Sequence, residues 1–181
     1  PFWQLLTDAN IRKVLHACSE DLEVFLTAAN CRPVNLIDSQ VMMAFLGHGL
    51  SLGYAAMVKH YTGVELDKSE SRTDWTKRPL TQKQLDYAGA DVDYLFKIYP
   101  KLHQELEDSG WMKAAEQESE SMIEKKFTAI DVDSLYRNVK FSWRLGPKQL
   151  SLLKSLATWR YQQAQKRDLP IGFVAKDHTL I

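Results

Sequence analysis

Two short apolar runs separated by one amphipathic helix constrain the fold of this chain more than any other feature. The runs cover residues 11–17 and 34–37, and each has the length of a buried strand. Ser19 between them is a good N-cap, and the helix stripe after it consists of Leu22, Phe25, Leu26 and Ala29. A strand, a helix and a strand within about 27 residues predict a right-handed βαβ unit with parallel strands.

Asp21 follows the first predicted strand, in the first turn of the intervening helix. Open α/β sheets bind their ligands at the carboxyl ends of their strands, where this residue should lie. The helix dipole also favours an acid in a first turn, so a purely structural role stays open. Asp21 is therefore a candidate ligand-binding residue.

A phenol and a carboxylate form a second candidate pair. Thr81 and Gln84 make a capping-box pattern after Pro79, which predicts a helix that begins there. On this helix Tyr87 and Asp91 are four residues apart and emerge on one face. The three residues between them are small, so we expect another group to pack tightly against that turn. The alternative is a half-buried aromatic beside a solvated acid.

The segment 66–79 has no regular period and is predicted to be a loop over this helix. Its candidate nucleic-acid-binding residues are Lys68, Arg72, Trp75 and Arg78. The cations could hold phosphates, and Trp75 could stack a terminal base. Anchoring of the loop by Trp75 is the alternative.

The charges of the chain are unevenly spread, although its formal net charge is zero. Glu105–Asp133 contains nine acids and three lysines, whereas residues 134–167 contain eight cations and no acid. A neutral total argues against a general nucleic-acid binder. The basic segment is compatible with phosphate binding and with a solvated helical face.

Length and residue types predict a globular cytoplasmic protein that is not inserted in a membrane. No run of about 18 apolar residues and no signal-peptide pattern occurs in the 181 residues. The two cysteines, Cys18 and Cys31, are expected to be reduced and packed. Pro100 is expected to kink or end the preceding helix, and a polar break at 128–134 predicts a domain boundary.

Three segments taken together resemble the ribonuclease D family of 3′-to-5′ exonucleases. They are HACSEDL at 16–22, KSESRTDWTKRPL at 68–80 and PLTQKQLDYAGADVDYLF at 79–96. Residues 144–174 resemble the start of the HRDC-type helical domain, which is shared by helicases and ribonuclease D and binds nucleic acid. The resemblance implies an α/β, ribonuclease H-like fold that is mostly helical in this chain and is followed by part of a helical bundle.

By this resemblance, residues 1–128 are the C-terminal part of an exonuclease domain, and residues 129–181 are a linker and the first HRDC helices. The family uses two divalent cations, Mg²⁺ or Mn²⁺, to hydrolyse phosphodiesters at RNA 3′ ends, such as those of tRNA precursors. Asp21 and Asp91 would bind metal and Tyr87 would orient the attacking water, since a phenol with a pKa of about 10 is a poor base at neutral pH. The alternatives are a non-catalytic RNA-binding module and a polymerase proofreading domain, and the helical tail argues against the latter.

The family's Asp-x-Glu motif has no good match in the chain. Asp21-Leu22-Glu23 fits the letters, but on a helix residues two apart point about 200° away from each other. We therefore expect a piece of an exonuclease, truncated at both ends and lacking the first antiparallel strands. Such a piece should be inactive alone, and its exposed sheet edge could pair with another copy.

Overall fold

The computed structural model describes residues 1–181, which divide into two units, Pro1–Thr128 and Ala129–Ile181. The first unit contains strands β1 (Lys13–Leu15) and β2 (Leu36–Asp38) and helices α1 (Phe2–Thr7), α2 (Ser19–Ala29), α3 (Ser39–Phe45), α4 (Tyr54–Thr62), α5 (Gln82–Asp108) and α6 (Met112–Phe127). A 3-10 helix, Ser69–Arg72, precedes α5. None of the helices is long and apolar enough to cross a membrane.

The predicted order of strand, helix and strand and the parallel pairing of the two strands are confirmed. β1 and β2 are parallel neighbours, with Val14 opposite Ile37 and Leu15 opposite Asp38. The strands are shorter than the apolar runs, and the N-cap of α2 is Cys18 rather than Ser19. The helix begins one residue earlier than expected because Ala17 takes a left-handed conformation, with φ 56°, and turns the chain sharply after β1.

The side chain of Asp38 holds this turn together. Its Oδ1 accepts hydrogen bonds from the amides of Ala17 at 2.9 Å and Gln40 at 2.8 Å, and its Oδ2 accepts one from Cys18 at 2.8 Å. The Asp38 amide donates to Ser119 Oγ of α6 at 3.1 Å. Asp38 is fully buried, so the end of β2, the start of α2, the start of α3 and α6 meet at one residue.

Two apolar clusters fill the first unit. The larger lies among α3, α4, α5 and α6, and its fully buried members include Met42, Met43, Met57, Val58, Leu102 and Leu106. The smaller packs α1 and α2 against β2 and α6 and contains Leu6, Leu22, Phe25, Leu36 and Ile123. Cys18 and Cys31 are free and buried, as expected from the sequence.

Helix α5 begins as predicted but does not end at Pro100. Thr81 Oγ1 accepts from the Gln84 amide at 3.2 Å and Gln84 Oε1 accepts from the Thr81 amide at 3.0 Å, which completes the capping box. The helix then continues through Pro100 to Asp108. A proline inside a helix costs roughly 3 kcal/mol. Burial of the helical turns around it, through Leu102 and its neighbours, offsets that cost because each buried leucine contributes about 2 kcal/mol.

The second unit contains 3-10 helices at Val132–Asn138 and Ser142–Arg144, followed by α7 (Pro147–Arg167), α8 (Ile171–Val174) and α9 (Asp177–Leu180). Helix α7 begins with Pro147, where the missing amide hydrogen is not needed. Its buried face includes Leu153, Ala157 and Ala164.

Arg160 does not belong to a solvated basic face. Only 6% of it is exposed, and its Nη1 donates to Asp177 Oδ1 at 2.7 Å and to the Ala175 carbonyl at 3.1 Å. Lys154 also has a partner, because its Nζ lies 2.9 Å from Asp133 Oδ1. Arg160 therefore holds the end of the chain in this unit, and the basic segment offers fewer free cations than its sequence suggests.

Replacing Asp38 by asparagine should destabilise the first unit by about 2 kcal/mol. The amide oxygen can keep the contacts of Oδ1, but the NH₂ group would face the Cys18 amide and leave it buried without an acceptor. Urea unfolding followed by circular dichroism measures the change. Asp93→Asn is the control, because that residue makes only an exposed pair with Lys97 and should change stability by less than about 0.5 kcal/mol.

Candidate active site

A groove of about 1220 Å³ opens at the carboxyl end of β1, between that end, α4 and α5. It is lined by side chains from residues 12–21, 53–56, 66–71 and 83–99. Asp21, Tyr87 and Asp91 all line it, although more than sixty residues separate the first from the other two. The structure thus brings the three predicted catalytic side chains to one place.

Tyr87 and Asp91 enter the groove from one face of α5. No other residue of the chain makes a hydrogen bond or ion pair with either side chain, and burial raises the pKa of Asp91. Burial and the charge of Asp91 also raise the pKa of Tyr87. Tyr87 therefore keeps its proton at neutral pH, which makes it better suited to orient a water molecule than to deprotonate one.

The tight packing predicted beside this pair is not found at Gly89. A Cβ atom added to that glycine would meet nothing within 4 Å. The close approach occurs one and two residues further on, where the Tyr54 hydroxyl lies 3.2 Å from the carbonyl oxygen of Ala90 and 2.6 Å from that of Asp91. The small residues are therefore not required by a neighbour packed against Gly89.

Asp21 enters the groove from the first turn of α2. Burial raises the pKa of Asp21, its own backbone amide opposes the shift, and the negative charges of Asp38 and Glu20 add to it. Glu23 faces elsewhere, because its carboxylate accepts from Lys126 Nζ of α6 at 2.6 Å. The structure therefore agrees that Asp21-Leu22-Glu23 is not the family's Asp-x-Glu motif.

The two groove carboxylates fit a site for hard divalent cations. Carboxylate oxygens are ligands that Mg²⁺ and Mn²⁺ prefer, and neither Asp21 nor Asp91 is neutralised by a cation of the chain. The chain contains no group of three or more His, Cys, Asp or Glu side chains placed to hold a metal ion. Asp21 and Asp91 thus fit as two members of a larger ligand set.

The four predicted nucleic-acid-binding residues do not share one position. Lys68 lines the groove, whereas Arg72 and Arg78 do not. Arg78 Nη1 donates to the carbonyls of Trp75 and Lys77, both at 2.8 Å, so this guanidinium braces its own loop.

Trp75 lies beside the groove rather than in it. Its Nε1 donates to the Glu70 carbonyl at 3.0 Å, and its ring centroid lies 6.0 Å from that of Tyr87. The loop is also tied to α5 by Gln84 Nε2, which donates to Thr73 Oγ1 at 3.1 Å and to the Asp74 carbonyl at 3.2 Å. These contacts favour the alternative in which Trp75 anchors the loop next to Tyr87.

Several residues that line the groove were not predicted from the sequence. Lys83 lies one turn before Tyr87 on α5, and its spacing was a readable signal. Arg12 and Tyr54 carried no signal, because other elements bring them to the groove. Val92 and Phe96 line it while 70% and 80% exposed, so part of the groove wall is apolar and uncovered.

His16 also lines the groove, but both ring nitrogens have partners in the protein. Its Nε2 donates to the Leu52 carbonyl at 2.9 Å, and its Nδ1 lies 2.9 Å from Ser39 Oγ. Burial lowers the pKa of His16, so the ring is neutral at pH 7. The ring is thus placed as a structural element beside the site.

Comparison with known proteins identifies this arrangement. Residues 1–107 match the family model described as 3′-5′ exonuclease, and residues 149–181 match the HRDC domain. The chain belongs to the 3′-5′ exonuclease family. Within that family, "Ribonuclease D" of Cronobacter turicensis is 49% identical over 180 residues, which are 99% of this chain and 49% of that protein. The resemblance to ribonuclease D stated from the sequence is confirmed.

Solved structures of 3′-5′ exonuclease relatives agree. The crystal structure of Escherichia coli RNase D, described as an exoribonuclease involved in structured RNA processing, matches with a TM-score of 0.89 and 46% identity over 99% of this chain and 48% of that one. Brucella melitensis NrnC with bound Mg²⁺ matches with a TM-score of 0.61 and 26% identity over 69% of this chain and 61% of that one. The chain spans about half the length of the curated relatives it matches.

Asp91→Asn should not lower thermal stability in the absence of metal at pH 7.5. A carboxyl with a raised pKa stabilises the fold only while it is protonated, and that contribution is lost as the pH rises through the raised value. Removing the charge therefore leaves the melting temperature unchanged or higher, as measured by circular dichroism in EDTA.

The same shift makes any metal binding at this position weaken as the pH falls towards the raised pKa of Asp91. A melting temperature of Asp91→Asn several degrees below that of the unsubstituted chain would contradict the assignment of an unneutralised carboxylate.

Proposed function

We propose that this chain supplies two metal-binding carboxylates and the water-orienting tyrosine of a metal-dependent 3′-5′ exoribonuclease. The observation that carries the proposal is the meeting of Asp21, Tyr87 and Asp91 in one groove, where no cation of the chain pairs with either carboxylate. Residues 1–128 would form the C-terminal part of the exonuclease domain. Residues 129–181 would form the linker and the first helices of the HRDC domain. The substrates would be 3′ ends of structured RNA, such as tRNA precursors.

Asp21 and Asp91 would hold divalent cations, Mg²⁺ or Mn²⁺. When bound, such ions would supply positive charge that offsets the charge of the phosphate and favours ionisation of water. Tyr87, which keeps its proton, would orient the attacking water by a hydrogen bond. Lys68 and Lys83 would offset the charge of the substrate backbone at the groove wall.

The ligand set would be completed by a strand beside β1. Val14 and Leu15 of β1 already line the groove, whereas the Asp38 amide of β2 is occupied by Ser119 of α6. A strand that carries Asp-x-Glu and pairs with β1 would present both acids on one face, because alternate residues of a strand point the same way. We therefore expect this chain alone to be inactive.

The edge of β1 that does not pair with β2 is also where two copies of this chain would pair. Self-association through that edge and a cytoplasmic location stay predictions from the sequence. Size-exclusion chromatography of the isolated chain at several concentrations measures the first.

The activity is tested with a complete protein, in which the chain is joined to the upstream residues of its own gene. Release of mononucleotides from the 3′ end of a labelled RNA in Mn²⁺ is the measurement. Asp91→Asn should lower the rate by at least about 100-fold because a metal ligand is lost. Tyr87→Phe should lower it by about 100-fold because the water is no longer aligned.

Asp93→Asn, on the same helix but paired with Lys97 away from the groove, is the matched control and should leave the rate unchanged. If Asp91→Asn and Tyr87→Phe both retain full activity, the assignment of the site is wrong.

An RNA-binding module is the second candidate, and an exposed aromatic cluster in the second unit favours it. The guanidinium of Arg144 lies 4.8 Å from the ring centroid of Phe141 and 4.9 Å from that of Trp143. Trp143 is 76% exposed. An exposed indole beside a cation can stack a base and hold the adjacent phosphate, with about 1 to 3 kcal/mol per stacked base.

Binding of single-stranded RNA to this chain should therefore weaken about tenfold in Trp143→Ala. Fluorescence anisotropy with a labelled oligonucleotide at two salt concentrations measures the affinity, which should fall as salt rises. Phe173→Ala is the control, since that ring is 80% exposed and no cation stacks on it. Equal losses in the two variants would rule out a specific platform at Trp143.

A further inference from the structure

The hydroxyl of Tyr54 is bound to the backbone of α5 at the turn that carries Asp91. It donates to the Asp91 carbonyl at 2.6 Å and accepts from the Leu95 amide at 3.1 Å. The Ala90 carbonyl lies 3.2 Å away. These contacts join the first residue of α4 to the active-site turn of α5.

The position of these contacts is specific. In an α-helix the amide of residue i+4 pairs with the carbonyl of residue i, and Leu95 and Asp91 are such a pair. The Tyr54 hydroxyl bridges the donor and the acceptor of this one pair from the side. It therefore fixes the backbone from which the Asp91 carboxylate projects into the groove.

Tyr54 is itself held from the other side of the groove. Its ring packs edge to face against His16 at a centroid distance of 5.5 Å. His16 Nε2 donates to the Leu52 carbonyl, and its Nδ1 lies next to Ser39 Oγ, which in turn lies 2.8 Å from the Leu15 carbonyl. A continuous series of contacts thus runs from the end of β1, which precedes Asp21, to the turn that carries Asp91.

The hydroxyl is the part of Tyr54 that makes hydrogen bonds to α5. A phenylalanine at this position would keep the ring contact with His16 and lose only the link to α5.

We infer that Tyr54 is a positioning residue that sets the place of the Asp91 carboxylate relative to Asp21 through its hydroxyl. The inference rests on the proposed function. It assigns no contact between Tyr54 and substrate or metal. Removal of the Tyr54 hydroxyl is expected to weaken the binding of metal and to leave the binding of RNA unchanged.

Tyr61 provides a matched control within the same pair of helices. It also lies on α4, and its hydroxyl donates to Glu105 Oε2 of α5 at 2.6 Å. Tyr61 does not line the groove. Tyr61→Phe therefore removes the same atom and the same kind of link between α4 and α5, but away from the active-site turn.

The test compares Tyr54→Phe and Tyr61→Phe in the complete protein by two measurements, Mn²⁺ binding without RNA by isothermal titration calorimetry and Mn²⁺ titrations of RNA hydrolysis. In the calorimetry, Tyr54→Phe should weaken Mn²⁺ binding about tenfold and Tyr61→Phe should leave it unchanged. Tyr54→Phe should raise the Mn²⁺ concentration for half-maximal activity by about tenfold, as losses of supporting contacts around metal ligands do. The KM for RNA should stay unchanged and kcat should recover at saturating Mn²⁺. Tyr61→Phe should leave all three quantities unchanged.

A Mn²⁺ requirement that is the same in both variants would overturn the inference, as would a loss of kcat in Tyr54→Phe that saturating Mn²⁺ does not restore. Asp91→Asn, measured in parallel, separates this outcome from a failure of the proposed function. If Asp91→Asn is inactive while the two tyrosine variants are alike, the positioning role fails and the site stands. If Asp91→Asn is active, the site itself fails.

Discussion

A single buried carboxylate organises the side of the groove that carries Asp21. The backbone amides of Ala17, Cys18 and Gln40 donate hydrogen bonds to the Asp38 carboxylate. These bonds hold Ala17 in a left-handed conformation, which costs roughly 1 to 2 kcal/mol for a residue with a Cβ. Hydrogen bonds to a charged group contribute about 1.5 to 3 kcal/mol each, so they offset this strain. The resulting turn sends the chain from β1 directly into α2. Asp21 then falls in the first helical turn, at the end of the sheet, instead of further along the surface.

The opposite side of the groove is formed by α5, which is held by helix capping and by contacts with the preceding loop. Tyr87 and Asp91 project from α5, whose start is fixed by the capping box and by the contacts of Gln84 with the preceding loop. Both groove carboxylates have raised pKa values and lack a neutralising partner in the chain, so their charges are held at some free-energy cost. Carboxylates with raised pKa values and no neutralising partner are typical of functional sites, because a bound cation relieves the free-energy cost of their charge.

The sequence predicted the parts of this structure that depend on local interactions. The capping box at Thr81 and the βαβ unit with parallel strands both follow from short-range patterns. The passage of α5 through Pro100 did not, because burial in the tertiary core overrides the local preference of proline. Nor does the run of cations in residues 134–167 indicate that Arg160 is buried, because its partner Asp177 lies on a different helix.

The residues around the site also divide into those that a local pattern predicts and those that only tertiary packing brings together. The spacing of Tyr87 and Asp91 was readable, whereas the contact of Tyr54 with the turn of Asp91 depends on how α4 packs against α5. His48 and His60 had no spacing that linked them, yet their ring centroids lie 4.4 Å apart. Contacts between distant segments depend on the whole fold, so a periodic pattern in one segment does not predict them.

Helix α5 is unevenly embedded along its length. Ile98, Leu102 and Leu106 towards its C-terminus lie in the core, whereas Leu85, Val92 and Phe96, which precede them, are exposed. Local opening of a helix costs least where few apolar contacts hold it. Opening of the first turns of α5 therefore exposes less buried apolar surface than opening of the turns around Leu102, and it is opposed mainly by the hydrogen bonds of Thr81, Gln84 and Tyr54. Polar contacts thus set the position of the active-site turn, whereas apolar burial holds the part of the helix that follows it, so a substitution at the turn need not disturb the core.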